Sequence, residues 1–186
     1  MATRESARTP GLSRFFERLV RPALGDLLLP AEGIAPYLAA LLARFTRTDQ
    51  LYAIRDAAGC RVDSVVGLRL EAERAWAFAD PDFDPFRERQ VRQHIGDYTL
   101  FMTGLFREHV ERRASTCFYV REGRKAYQAV ADFERSALHP EARLFGALAQ
   151  GFERYASALT YMKRVYLRPA ASPPLLQPFL RLLTEW

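Results

Sequence analysis

His94, Asp97 and Tyr98 stand within one helical turn of each other in QHIGDYTLFMTGLF, residues 93–106, which makes this stretch the best localised candidate for chemistry in the chain. A carboxylate three residues beyond an imidazole on a helix can orient the ring for proton transfer. Catalysis would also need a nucleophile, a second acid or a cofactor, and nothing in the sequence sets one beside this pair. No catalytic residue, metal ligand or cofactor is therefore assigned. The same residues fit a ligand pocket more readily, with Tyr98, Phe101, Met102, Tyr127 and Tyr155 as its aromatic and apolar lining and His94 and Asp97 as its polar groups.

Other chemistries have less behind them. His109 and Cys117 could form a nucleophilic pair, but eight residues of separation do not establish a hydrogen bond, and a buried, inert cysteine is the commoner outcome. A di-metal bundle wants Glu-x-x-His repeats, and here no Glu precedes a His by three residues. Asp80, Asp82 and Asp84 resemble the opening of a calcium loop, but Pro85 replaces the required glycine and Val91 the closing glutamate, so a solvated loop that caps a helix is expected instead. No motif supports haem ligation by His94, His109 or His139. Arg112, Arg113, Arg121, Arg124 and Lys125 near Phe118, Tyr119 and Tyr127 could suit single-stranded nucleic acid. The expectation is rather that the tyrosines face the core and the cations face water.

Charge and composition narrow the classes further. The net charge is +5, yet five arginines against two glutamates in residues 1–21 supply +3 of it, leaving the remainder nearly neutral. That distribution argues against nucleic acid as a partner. Lys125 and Lys163 are the only lysines among 27 basic residues. No apolar run approaches the roughly 18–20 residues needed to cross a bilayer, and no transmembrane segment is expected. Cys60 and Cys117 share no disulfide or zinc spacing, which favours a reducing, cytoplasmic setting.

The elements that must position these groups read as helices. Residues 1–12 lack periodicity and are expected to be a flexible segment. Ser13 then caps a short helix bearing Phe15, Phe16, Leu19 and Val20. Tyr37, Leu38, Leu41, Leu42 and Phe45 give a second helix, and residues 51–75 one or two short ones with Gly59 in a turn. Asp84 and Pro85 start a helix over about 86–111, whose seam runs Val91, Ile95, Tyr98, Met102, Leu105, His109. Gly96 and Gly104 leave it a second side open to a close neighbour. Another helix follows, carrying Phe118, Tyr119, Val120, Ala126, Tyr127, Val130 and Phe133, with Gly123 as a small contact position. The longest stripe, Leu144 to Tyr166, predicts one helix from Pro140 to about 167, roughly 40 Å long. After a Pro-rich break, Leu175, Leu176, Phe179, Leu180, Leu183 and Trp186 form an amphipathic helix at about 175–186. It can dock on its own bundle or in a partner's groove.

GDYTLFMTGLF (96–106), YVREGRKAY (119–127) and FERYASALTYM (152–162) resemble a group of small bacterial helical proteins to which no activity is attached. The resemblance covers roughly the second half of the chain, implies a bacterial cytoplasmic protein and carries over no functional residue. The expectation is an all-α protein: one domain over 13–186, an irregular bundle of six or seven helices with long antiparallel helices between about 86 and 167 as its core. The first functional expectation is a non-enzymatic interaction or regulatory module with a protein partner or a second copy of itself. A ligand-binding or catalytic bundle comes second, and a nucleic-acid binder third.

Overall fold

The computed structural model describes residues 8–77, 83–167 and 174–185. Residues 1–7 of the expected flexible segment, Asp80 and Asp82, residues 168–173 of the Pro-rich break and Trp186 lie outside the described residues. The protein is an all-α bundle, 78% helical among the described residues. Among the described residues there are ten α-helices and one 3-10 turn, and the sole β feature is an isolated bridge between Arg55 and Arg61. No helix among them is long and apolar enough to cross a membrane. The chain gathers into two compact units, one of residues 1–51, 101–114 and 153–186, the other of residues 52–100 and 115–152.

In the first unit, α1 (Arg8–Asp26) and α2 (Ile34–Phe45) form a helical hairpin. α1 begins at Arg8, ahead of the Ser13 expected to cap it, and carries Pro22 inside it. It ends where Leu28 takes a left-handed φ of 53° while its N–H donates to the Gly25 carbonyl at 3.0 Å, a position usually given to glycine. Phe101 is the centre of an aromatic core, with ring centroids 5.2 Å from Phe45, 5.5 Å from Phe106 and 6.1 Å from Phe179, and Phe179 also meets Phe16 at 6.2 Å. Phe179 sits on α10 (Gln177–Glu185), which follows the 3-10 turn Pro174–Leu176, so the amphipathic terminal helix docks on its own chain. The carboxylate of Asp26 accepts hydrogen bonds from Tyr161 at 3.2 Å and Tyr166 at 2.5 Å, tying the end of α1 to α9 (Phe152–Val165).

Two expected long helices are interrupted. The helix expected over 86–111 is α5 (Pro85–Leu105) followed by α6 (Arg107–Arg113), with Phe106 at φ −122° and ψ 34° between them. The single helix expected from Pro140 to about 167 is α8 (Ala142–Gln150) and α9, separated by Gly151. In both cases buried apolar residues continue on either side of the break, so their spacing does not register the change of backbone. These divisions, with the four-residue α3 (Thr48–Leu51), raise the number of helices above the expected six or seven.

In the second unit, residues 52–63 form a tight loop, so the stretch expected to hold one or two short helices holds one, with Gly59 in the turn before it. Asp56 Oδ1 accepts from the N–H groups of Ala58 (3.0 Å) and Cys60 (2.8 Å) about Gly59, whose φ is 78°. Ser64 then caps α4 (Val65–Trp76) by accepting from Gly67 N–H at 3.1 Å. Asp84 caps α5 as its sequence predicts, accepting from Phe86 and Arg87 N–H groups at 2.9 and 3.0 Å. α5 and α7 (Thr116–Ser136) run antiparallel, since Arg89, Asp97 and Thr99 meet Glu134, Tyr127 and Gly123 in reverse order. Gly96 and Gly123 permit this approach: a Cβ on Gly96 would come within 2.6 Å of the Tyr127 ring, and one on Gly123 would overlap Thr99 Oγ1 and the Phe152 ring.

Candidate functional site

The seven residues of the expected pocket are all buried, but they divide between the units. His94, Asp97, Tyr98 and Tyr127 belong to the second unit, whereas Phe101, Met102 and Tyr155 belong to the first. In the second unit the helical register of α5 aims Asp97 at α7, where its Oδ1 accepts from the Tyr127 hydroxyl at 2.8 Å. Both residues are wholly buried, and the Tyr127 ring also meets Phe145 and Phe152 at 6.0 and 6.1 Å. A buried carboxylate and phenol joined in this way satisfy each other, which is a structural use of the pair.

His94 stacks on Tyr98, with ring centroids 6.4 Å apart and planes 27° apart. Tyr98 in turn lies 6.3 Å from Tyr119 and 6.5 Å from Tyr52. Burial first, then the neighbouring Tyr119 and Tyr52, hold the Tyr98 hydroxyl far above the usual tyrosine range. Tyr52 and Tyr119 are half-buried, and burial raises their hydroxyls too. The result is a phenol cluster that stays protonated at neutral pH, able to donate hydrogen bonds but unsuited to act as a base. Spacing puts Tyr119 on its helix and beside the cations considered for nucleic acid, not in the expected pocket, and does not mark Tyr52, because the cluster joins a loop to two helices.

The sequence also gave no sign of the ion-pair network around Arg89. Its guanidinium donates to the buried Glu134 at 2.7 Å from Nε and to Gln93 at 2.5 Å, and lies 3.5 Å from Glu141. His139 Nδ1 is 3.5 Å from the other Glu134 oxygen, so Glu134, His139 and Glu141 offer three ligand atoms within 4.8 Å of one another. That donor set could hold a divalent cation. The Arg89 guanidinium already bridges the two carboxylates, and a metal would compete with it for them. A second buried carboxylate, Glu122, is similarly held between Arg69 (3.3 Å) and Arg121 (3.1 Å).

The cations considered for nucleic acid, Arg112, Arg113, Arg121, Arg124 and Lys125, are exposed, while Tyr127 is buried and Phe118 and Tyr119 are half-buried. Cys60 and Cys117 are both exposed free thiols, which corrects the expectation of a buried Cys117. The remaining unusual surface is apolar. Nine large hydrophobic side chains are exposed among the described residues, and five of them, Val66, Leu70, Trp76, Phe83 and Phe86, fall between positions 66 and 86 of the second unit. α4 buries Val65, Leu68, Ala72 and Ala75 on one face, and the helical period puts Val66 and Leu70 on the opposite one. Comparison of the chain with protein-family models, with curated proteins and with solved structures finds no match.

Proposed function

We propose that this protein is a non-enzymatic interaction module whose second unit receives an apolar helix of a protein partner. The observation that supports the reading is the outer face of α4, where Val66 and Leu70 are each 54% exposed, with Trp76 at its end 60% exposed. Scattered single apolar residues are ordinary on a surface, whereas Val66 and Leu70 lie together on one face of α4, with Trp76 roughly 100° around the helix from them. Two apolar side chains one turn apart suit the stripe of a partner helix, and an exposed tryptophan is a frequent anchor. The buried polar groups favour the same reading. Asp97, Glu122 and Glu134 are engaged by Tyr127, Arg69, Arg121 and Arg89 within the protein, in roles that hold helices together.

We further propose a bacterial, cytoplasmic setting, supported by the resemblance of residues 96–106, 119–127 and 152–162 and by the two free thiols.

The test is native mass spectrometry of wild type and of the double variant Val66→Glu/Leu70→Glu, each purified gently from the host. Both positions are exposed, so the variant should keep the wild-type Tm. A bound protein, or a second copy, present with wild type and lost from the variant is the expected result. Identical spectra for the two would overturn the reading.

A further inference from the structure

In the first unit α5 ends at the break before α6, and two residues of α9 cap the carbonyls of its last two residues, Gly104 and Leu105. The Thr160 hydroxyl donates to the Gly104 carbonyl at 2.7 Å, and Lys163 Nζ donates to the Leu105 carbonyl at 2.7 Å. Both residues line a cleft of about 390 Å³ whose walls include Phe106, Glu108, Arg164 and Leu183. Lys163 is half-buried there, with its Nζ 5.8 Å from the centre of the Phe106 ring.

The identity of the cation is informative. Lys125 and Lys163 are the only lysines among 27 basic residues, so this chain supplies almost every surface charge with arginine. An arginine at 163 could cap a carbonyl and lie over a ring equally well, but it cannot shed its proton, whereas a lysine can. Burial lowers the proton affinity of Lys163, the Glu108 carboxylate opposes this, and the Arg164 guanidinium adds to it. The bond to Leu105 needs a single N–H, which the neutral amine keeps, leaving its lone pair for a ligand in the cleft.

We propose that Lys163 is a reactive amine that captures a small carbonyl compound bearing a carboxylate, of the aldehyde-acid or keto-acid class, with Arg164 holding the carboxylate. The amine lone pair attacks the carbonyl carbon, and the π pair moves to the oxygen, which takes up a proton. The nitrogen then loses one proton to solvent to give the carbinolamine, whose hydroxyl takes up a second proton and leaves as water as the nitrogen lone pair forms the C=N bond, so the product is an iminium that keeps one N–H. No oxidant or reductant is consumed. The inference concerns the first unit and does not depend on the α4 surface of the second.

The test uses glyoxylate as the probe near neutral pH, with cyanoborohydride to trap the imine and peptide mass spectrometry to read each lysine. Lys163 is expected to be alkylated at least about fivefold faster than the exposed Lys125 in the same sample. Because the two lysines are compared within one folded protein, the result does not rely on a variant. Lys163→Arg should keep the Tm and lose the fast label. Arg164→Gln should slow capture of glyoxylate more than capture of acetaldehyde, which it slows only by raising the proton affinity of Lys163. Labelling of Lys163 no faster than of Lys125 overturns the proposal, and equal slowing of both aldehydes by Arg164→Gln overturns the assignment of the carboxylate site.

Discussion

Six polar or charged side chains are buried among the described residues, and five of them, His94, Asp97, Thr99, Glu122 and Glu134, belong to the second unit, whereas Thr103 alone belongs to the first. The first unit is filled by rings, with Phe16, Phe45, Phe101, Phe106 and Phe179 in contact one with another. The second brings α5 and α7 together over two glycines and fixes their register with a carboxylate–phenol bond and an arginine–carboxylate network. Apolar burial is non-directional and tolerates adjustment, but a buried hydrogen-bonded pair is satisfied in one alignment only. The first unit should therefore lose stability in proportion to volume removed, and the second in proportion to polar groups left without partners.

The largest effect expected is in the first unit. Phe179→Ala removes a ring touching both Phe16 and Phe101 and should cost about 3–5 kcal/mol, read by urea unfolding. In the second unit Gly123→Ala forces a methyl group into Thr99 and Phe152 and should cost about 1–3 kcal/mol, while Gly146→Ala, whose Cβ meets nothing within 4 Å, should be neutral or stabilising. A neutral Gly123→Ala would show that α5 and α7 are not held as closely as their glycines permit.

Tyr127→Phe keeps the ring and removes the hydroxyl donor from a wholly buried Asp97, with an expected cost of about 1–3 kcal/mol. Adding Asp97→Asn should recover part of that loss, and strict additivity in the double-mutant cycle would mean that the pair contributes nothing as a pair. The two units share one weakness. Leu28 and Leu138 are about 90% exposed at left-handed φ values of 53° and 55°, each just past a helix end. Leu28→Gly and Leu138→Gly should each raise stability by about 0.5–1 kcal/mol, since the strain is relieved and almost no burial is lost.

The smallest expected effect depends on pH. Burial and its tyrosine neighbours raise the proton affinity of Tyr98 above the free value of 10.0, so the native state keeps a proton that the unfolded chain releases. The stability this contributes is complete below pH 10.0 and falls as pH rises beyond it. Tyr98→Phe should flatten the decline of Tm in alkali. Tyr166→Phe should do so less, because Tyr166, pushed up to about 12 by its bond to Asp26, is more open to solvent.

Much of the helical framework was legible residue by residue. Asp84 and Pro85 mark the start of α5 because a capping carboxylate and a fixed φ act locally, and Gly96, Gly104 and Gly123 mark close contacts because they alone lack a side chain in otherwise apolar seams. The breaks at Phe106 and Gly151 were not legible, since the apolar spacing runs through them. Of the candidate site, His94, Asp97, Tyr98 and Tyr127 fall in one unit, whereas Phe101 and Met102, on the same helix as the first three, and Tyr155, on α9, fall in the other. A helical period reports which side of a helix is buried, not what lies across from it.

Composition and period by themselves determined that this chain is helical and where several of its helices start, because caps, glycines and apolar spacing act within a few residues. Only the tertiary structure decided that Asp97 serves Tyr127, that Arg89 gathers Glu134 and Glu141, and that Lys163 shares a cleft with Arg164. Those pairings are 30, 45 and 52 residues apart for the first three, and hydrogen bonding and charge act through distance in space, which no local pattern encodes.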